Sequence, residues 1–135
     1  MINEIAEELQ RRNIDTAFPL ELPCIDDVVE AQEEMLIHIP PNFRDYLLHC
    51  SNVIYGHFEP VTVADPNAHT HLPEVTADAW ERGMPRDLIV LCPSDNGFYC
   101  VEEDDTVHFW RDGDDDAEQV SEDVWQWVRD VWMAE

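Results

Sequence analysis

The chain contains no lysine, and its 31 carboxylates face seven basic residues, all arginine, for a formal charge of -24. Without lysine there is no Schiff-base nucleophile and no phosphate-binding P-loop lysine. A field of this sign repels DNA, RNA and anionic membrane and attracts basic proteins, at a cost in self-repulsion. Glycine is scarce too, at four residues, and neither G-x-G-x-x-G nor G-x-S-x-G occurs. Phosphate-cradling loops and a nucleophile elbow are therefore not expected. No apolar run approaches the roughly 18 residues that cross a bilayer. Residues 1–8 lack the basic start and apolar stretch of a signal peptide, which predicts a cytoplasmic protein.

Cysteine is sparse and unpaired in pattern. Cys24, Cys50, Cys92 and Cys100 include no C-x-x-C. A chain of 135 residues with 44% hydrophobic residues does not need staples to fold. Buried thiols are expected, and the competing reading is a redox pair of Cys92 with Cys100 across a hairpin.

The apolar spacing is that of an α+β fold: helices, then an antiparallel meander, then a closing helix, with the helices packed on one side of the sheet. Ile2, Ile5, Ala6 and Leu9 predict a first helix ending at Arg11-Arg12-Asn13. A proline-containing stretch follows from Phe18 to Pro23. Ile25, Val28, Val29, Gln32, Met35 and Leu36 predict a second helix, with Asp26 and Asp27 in its first turn. Pro40-Pro41 then opens a third, whose stripe is Phe43, Tyr46, Leu47 and Cys50. Phe58 to Val63 reads as an edge strand, and Asp65 to Pro73 as a loop. Thr76 to Arg82 reads as a short helix with Thr76 as N-cap and Gly83 just past its end. Asp87–Cys92 and Phe98–Val101 predict a hairpin about a turn at 93–97, and Val107–Trp110 a third strand. Ser121 is the expected cap of a closing helix whose inner stripe is Val124, Trp127, Val128 and Val131, widened by Trp125 and Trp132. No internal repeat or linker divides the chain, so residues 1–135 are expected to form a single domain.

Few residues are arranged for catalysis. His69-Thr-His71 lacks a third ligand at a recognised spacing and reads as surface loop, so no metal site is expected. Asp112-Gly-Asp114-Asp-Asp116-Ala-Glu118, with Asp123 at position twelve, partly imitates a calcium loop. Ala117 stands where that loop needs glycine, and the incoming segment is strand-like. No nucleophile–base set emerges, so a non-enzymatic protein without cofactors is expected, ahead of a small hydrolase or a calcium-binding protein.

The acidic stretch is the strongest lead. Glu102, Glu103, Asp104 and Asp105, then Asp112, Asp114, Asp115, Asp116, Glu118, Glu122 and Asp123, are countered only by Arg111. These acids are expected on two neighbouring loops of one small sheet, so that their fields add within a Debye length of about 8 Å. Such a surface imitates a phosphate array and suits a basic partner. Trp110 alternates with Phe109, so one ring faces outward unless both faces of the strand are covered. An outward Trp110 ringed by carboxylates is a natural binding anchor. The expected partner-binding set is therefore Glu102, Glu103, Asp104, Asp105, Trp110, Asp112, Asp114, Asp115 and Asp116.

Several stretches also resemble a known family. Glu30 to Tyr46, containing Met35-Leu-Ile-His-Ile-Pro-Pro-Asn-Phe-Arg-Asp-Tyr46, is similar to the helix–Leu-Pro–helix opening of the SUKH superfamily. Tyr55-Gly56 to Val63 resembles its G-x-L-x-P strand. Arg82-Gly-Met-Pro-Arg-Asp-Leu-Ile-Val-Leu91 with Asp95-Asn-Gly-Phe-Tyr-Cys-Val101 resembles its central hairpin, and Val107–Trp110 with the tryptophan-rich helix its end. The resemblance runs over residues 24–132. Ile39-Pro40 replaces the usual Leu-Pro, and a glycine pair is reduced to Gly56. That superfamily includes the fungal Smi/Knr cell-wall assembly regulators and many bacterial immunity proteins. The resemblance implies a protein-binding domain, either an immunity protein that neutralises a basic, nuclease-type toxin or a regulatory interaction module without one. It transfers no site residues, and the sequence leaves the oligomeric state open.

Overall fold

The computed structural model describes residues 4–14 and 20–134. Ile2 and the first part of the Phe18–Pro23 stretch lie outside them. Helix α1, Glu4–Arg11, has Glu4 and Glu7 in its first turn and Arg11 in its last, each sign at the end its dipole favours. Ala6 and Leu9 are buried, and Gln10 Nε2 donates to His49 O at 2.8 Å, tying α1 to the next helical layer.

Helix α2, Ile25–Met35, forms as expected, with the Asp27 carboxylate accepting from Cys24 N at 2.9 Å to cap it. Its apolar residues, however, split between two faces. Val28, Ala31 and Met35 turn inward, while Ile25, Val29 and Leu36 stay exposed. Helix α3, Pro41–Cys50, starts on a proline that needs no N–H partner there. It buries Phe43, Tyr46, Leu47 and Cys50, the expected stripe in full.

Two expectations in the middle of the chain are corrected. Residues 58–63 are not a strand of the sheet. They make one isolated parallel bridge, Thr62 to His71, and one bond from Val61 N to Leu91 O at 2.9 Å. Helix α4 is Leu72–Glu81, capped at His71, and begins inside the segment expected to be loop. Pro73 in its first turn suits a helix start. Thr76 is thus interior, fully buried, and its hydroxyl accepts from Val90 N at 3.1 Å. That bond, with Trp80 Nε1 donating to Leu88 O at 2.8 Å, fixes α4 against the first strand. Gly83 follows the helix at φ +112°, as its position suggested.

The sheet is a meander of β1 (Ile89–Ser94), β2 (Gly97–Val101), β3 (Val107–Arg111) and β4 (Glu118–Ser121), all antiparallel and in that order. Gly97 has to be glycine, since a Cβ there would lie 2.2 Å from Trp110 O. Strand β4 was not foreseen. It is short, polar and exposed except at Ser121, so it carries no apolar alternation to read. Ser121 therefore ends a strand, and the cap of α5 (Val124–Trp127) is Asp123, whose carboxylate accepts from Gln126 N at 2.8 Å. The helix continues as a wider π-helical turn, Val128–Trp132.

Both faces of the sheet are covered. Tyr99 and Phe109 pack at 5.0 Å on one face, and Trp127 meets Tyr99 there at 5.3 Å. On the other, Phe98 stacks with Trp110 at 6.1 Å. Arg82 lies over the Phe98 ring and Gly83 sits near Trp110.

Candidate functional site

The two acidic loops do not form one patch. Antiparallel pairing alternates the ends at which the chain turns, so the loop after β2 and the loop after β3 lie at opposite ends of the sheet. The five residues of β3 separate them by about 17 Å at about 3.4 Å per residue. That is two Debye lengths at physiological salt, so fields from Glu103–Asp105 and Asp112–Asp115 are screened from one another. Only Asp116, where the chain returns toward β4, shares a small groove with Glu102, beside His108.

The loop after β2 is partly occupied within the molecule, with Glu103 and Asp104 exposed. Asp105 adopts φ +75° and aims its carboxylate at the start of α3. It accepts from Asn42 N at 3.3 Å and Phe43 N at 3.4 Å. The first turn of α3 has no acid of its own, so a residue sixty-three positions away supplies the anion. Burial pushes the Asp105 carboxyl above its usual range, and Asp123 and Asp104 add to the rise against those two N–H bonds. Asp104 is shifted the other way, its carboxyl lowered by the hydroxyl and N–H of Thr106. Glu102 reaches His108 at 3.1 Å.

The loop after β3 is displayed. Asp112, Asp114, Asp115 and Asp116 are all exposed. Asp112 N donates to Asn96 O at 3.2 Å, which seats the loop beside the β1–β2 turn. Together with α4 they enclose an open groove of about 430 Å³, into which Glu74, Asp78, Asp95 and Asp112 converge from three elements. Arg82 is the one arginine of that lining. It stands 3.3 Å from Asp78 and 3.5 Å from Asp112, with its guanidinium 5.8 Å above the Phe98 ring. These exposed pairs hold the groove loosely, each worth about 0–1 kcal/mol. Carboxylates over an aromatic ring accept a guanidinium, and Arg82 already takes that place, which leaves Glu74 and Asp95 for further guanidinium or ammonium groups.

Trp110 is corrected. It is fully buried and faces the Phe98 side, so it is no surface anchor. Its Nε1 donates to Asp114 O at 2.8 Å, so the ring braces the acidic loop from beneath. Glu74, Asp78 and Asp95 were missed. The first two are an i, i+4 pair on the outer face of α4, legible once that helix starts at Leu72. Asp95 lies in the hairpin turn.

The other candidates separate in space. His69 turns outward to Glu59 at 3.1 Å, whereas His71 is buried and points toward Glu34 at 4.0 Å. Glu118–Ser121 is strand, so the second half of the calcium-loop imitation is not a loop. Cys92 is paired with Tyr99, which places it on the face opposite Cys100. None of the four cysteines is in a disulfide. Burial pushes the Cys50 and Cys100 thiols up to about 12. Among the described residues no helix is long and apolar enough to cross a membrane.

The family model described as SMI1-KNR4 cell-wall (SUKH_5) matches residues 2–133. The chain belongs to the SUKH family. A crystal structure of a protein from Pseudomonas syringae pv. tomato is 47% identical to this SUKH domain, covers 98% of each chain and superposes with a TM-score of 0.91. No curated protein matches. The α+β SUKH fold expected from the sequence is thereby established.

Proposed function

We propose that this SUKH domain is a non-enzymatic, cytoplasmic immunity-type protein that neutralises a basic, nuclease-type toxin. The observation that carries this reading is the groove of Glu74, Asp78, Asp95 and Asp112, flanked by the exposed Asp114–Asp116 run. A nuclease gathers cations to hold phosphates, and an array of carboxylates competes for the same cations. Association by such a surface is electrostatically steered and falls steeply with salt.

The family's association with the cell wall favours a second reading: a regulatory interaction module with no toxin. Co-expression with the product of the neighbouring gene separates the two. Protection of the host cell and co-purification at low ionic strength are expected for an immunity protein. A neighbour that is harmless alone, or that kills equally in the presence of this chain, rejects that role.

A further inference from the structure

The second apolar face of α2 is an unused surface with a recognisable chemistry. At 100° per residue Ile25, Val29 and Leu36 fall within about 40° of one another on the helix. They are 51%, 41% and 90% exposed. Scattered surface leucines need no explanation, but three on one line do. Leu36 is the most telling. It closes the helix in the left-handed conformation, φ 57°, where glycine or asparagine is usual. A branched side chain is strained there, and at 90% exposure the fold gains nothing from it. Along one flank of the stripe run Asp26, Glu30 and Glu33, all exposed. The stripe offers on the order of 300 Å² of apolar surface, the size of the largest patch on a typical monomer. That is well under the roughly 800 Å² per partner of a stable interface, so the flanking acids must share the contact.

Charge selects the occupant. A second copy of this chain brings another -24 and the same acids, and anionic lipid is repelled likewise. We propose that the outer face of α2 docks an amphipathic basic helix of a partner protein, with apolar residues on Ile25, Val29 and Leu36 and cations against Asp26, Glu30 and Glu33. This surface rests on the sequence and exposure of α2 and is separate from the groove between α4 and the hairpin.

The test uses the full chain and two synthetic peptides of identical leucine–lysine composition. One has leucines at i, i+3, i+4 and i+7, and the other is scrambled so that no apolar face forms. Calorimetry should give at least tenfold tighter binding of the amphipathic peptide, and amide shifts in NMR should map to residues 25–36. Val29→Glu should abolish that preference. Leu36→Gly, which the left-handed site accommodates, should weaken binding about tenfold while the melting temperature holds or rises. Asp112→Asn with Asp114→Asn should leave the preference intact, which separates this surface from the proposed toxin site. Equal affinity for the two peptides, shifts confined to the groove around Glu74 and Asp112, or a dimer that Val29→Glu disperses would each overturn the proposal.

Discussion

Residues 102–105 and 112–116 carry four acids each, yet the fold gives them different work. The first loop turns its last carboxylate inward to finish α3, while Thr106 engages Asp104 and His108 engages Glu102, leaving Glu103 exposed. The second is held from below through its backbone, by Trp110 at Asp114 O and by Asn96 at Asp112 N. Apart from the 3.5 Å pair of Asp112 with Arg82, its side chains are left to solvent and to the groove. A carboxylate already serving a helix N-terminus has little left for a partner. One whose main chain is anchored while its side chain stays hydrated is preorganised at low cost.

Trp110→Ala should have the largest effect. Emptying a fully buried, stacked indole should cost about 3–5 kcal/mol in urea unfolding, whereas an exposed anchor would have cost almost nothing. Trp110→Phe should lose less, chiefly the bond to Asp114 O, about 1 kcal/mol, and should loosen the acidic loop in hydrogen exchange.

Next in size is the electrostatic contrast. Converting Asp112, Asp114, Asp115 and Asp116 to asparagine should slow association with the co-purified basic partner about tenfold at low salt. The same neutralisation of Glu102, Glu103, Asp104 and Asp105 should change it less than threefold. Equal effects in stopped-flow traces would erase the distinction between the loops.

A smaller effect isolates Asp105. Asp105→Ala removes the distant cap of α3, worth about 0.5–1 kcal/mol, the low end because 3.3–3.4 Å bonds are long, and adds the strain of alanine at φ +75°. Asp105→Asn keeps an acceptor oxygen, tolerates positive φ and removes a partly desolvated charge, so it should equal or exceed the parent in stability at pH 7. The sign follows from linkage. The folded carboxyl titrates above its ordinary 3.8, so the native state binds more protons in that acid window. Its contribution is present at low pH and lost as pH rises through the raised value. The advantage of asparagine should therefore shrink as pH falls toward 3.8. A growing advantage would mean the two N–H bonds outweigh burial.

The smallest readout is thiol chemistry. At pH 8 native protein should react quickly at Cys24, the exposed one, and at all four cysteines in denaturant. Loss of a second thiol titre on oxidation of native protein would revive the Cys92–Cys100 pair.

How far the sequence could be read depended on whether a residue's role was local. The stripe of α3, its proline start, the β1–β2 hairpin and Gly83 were legible because spacing and backbone constraint act within a few residues. Strand β4 was not, since an exposed polar edge strand is defined by its partner and not by its own pattern. The start of α4 was misplaced because Thr76, a good N-cap by type, instead gives its hydroxyl to Val90 N across the packed interface.

The candidate site shows the same division. Composition alone settled the sign of the net charge, because charge sums regardless of arrangement. Only tertiary structure decided that Trp110 lies inside and that the two acidic loops sit at opposite ends of β3. It likewise set α4 and the β1–β2 turn beside the second loop, bringing Glu74, Asp78 and Asp95 to Asp112. The physical reason is that exposure and proximity are properties of antiparallel pairing and packing, which join residues the chain keeps tens of positions apart.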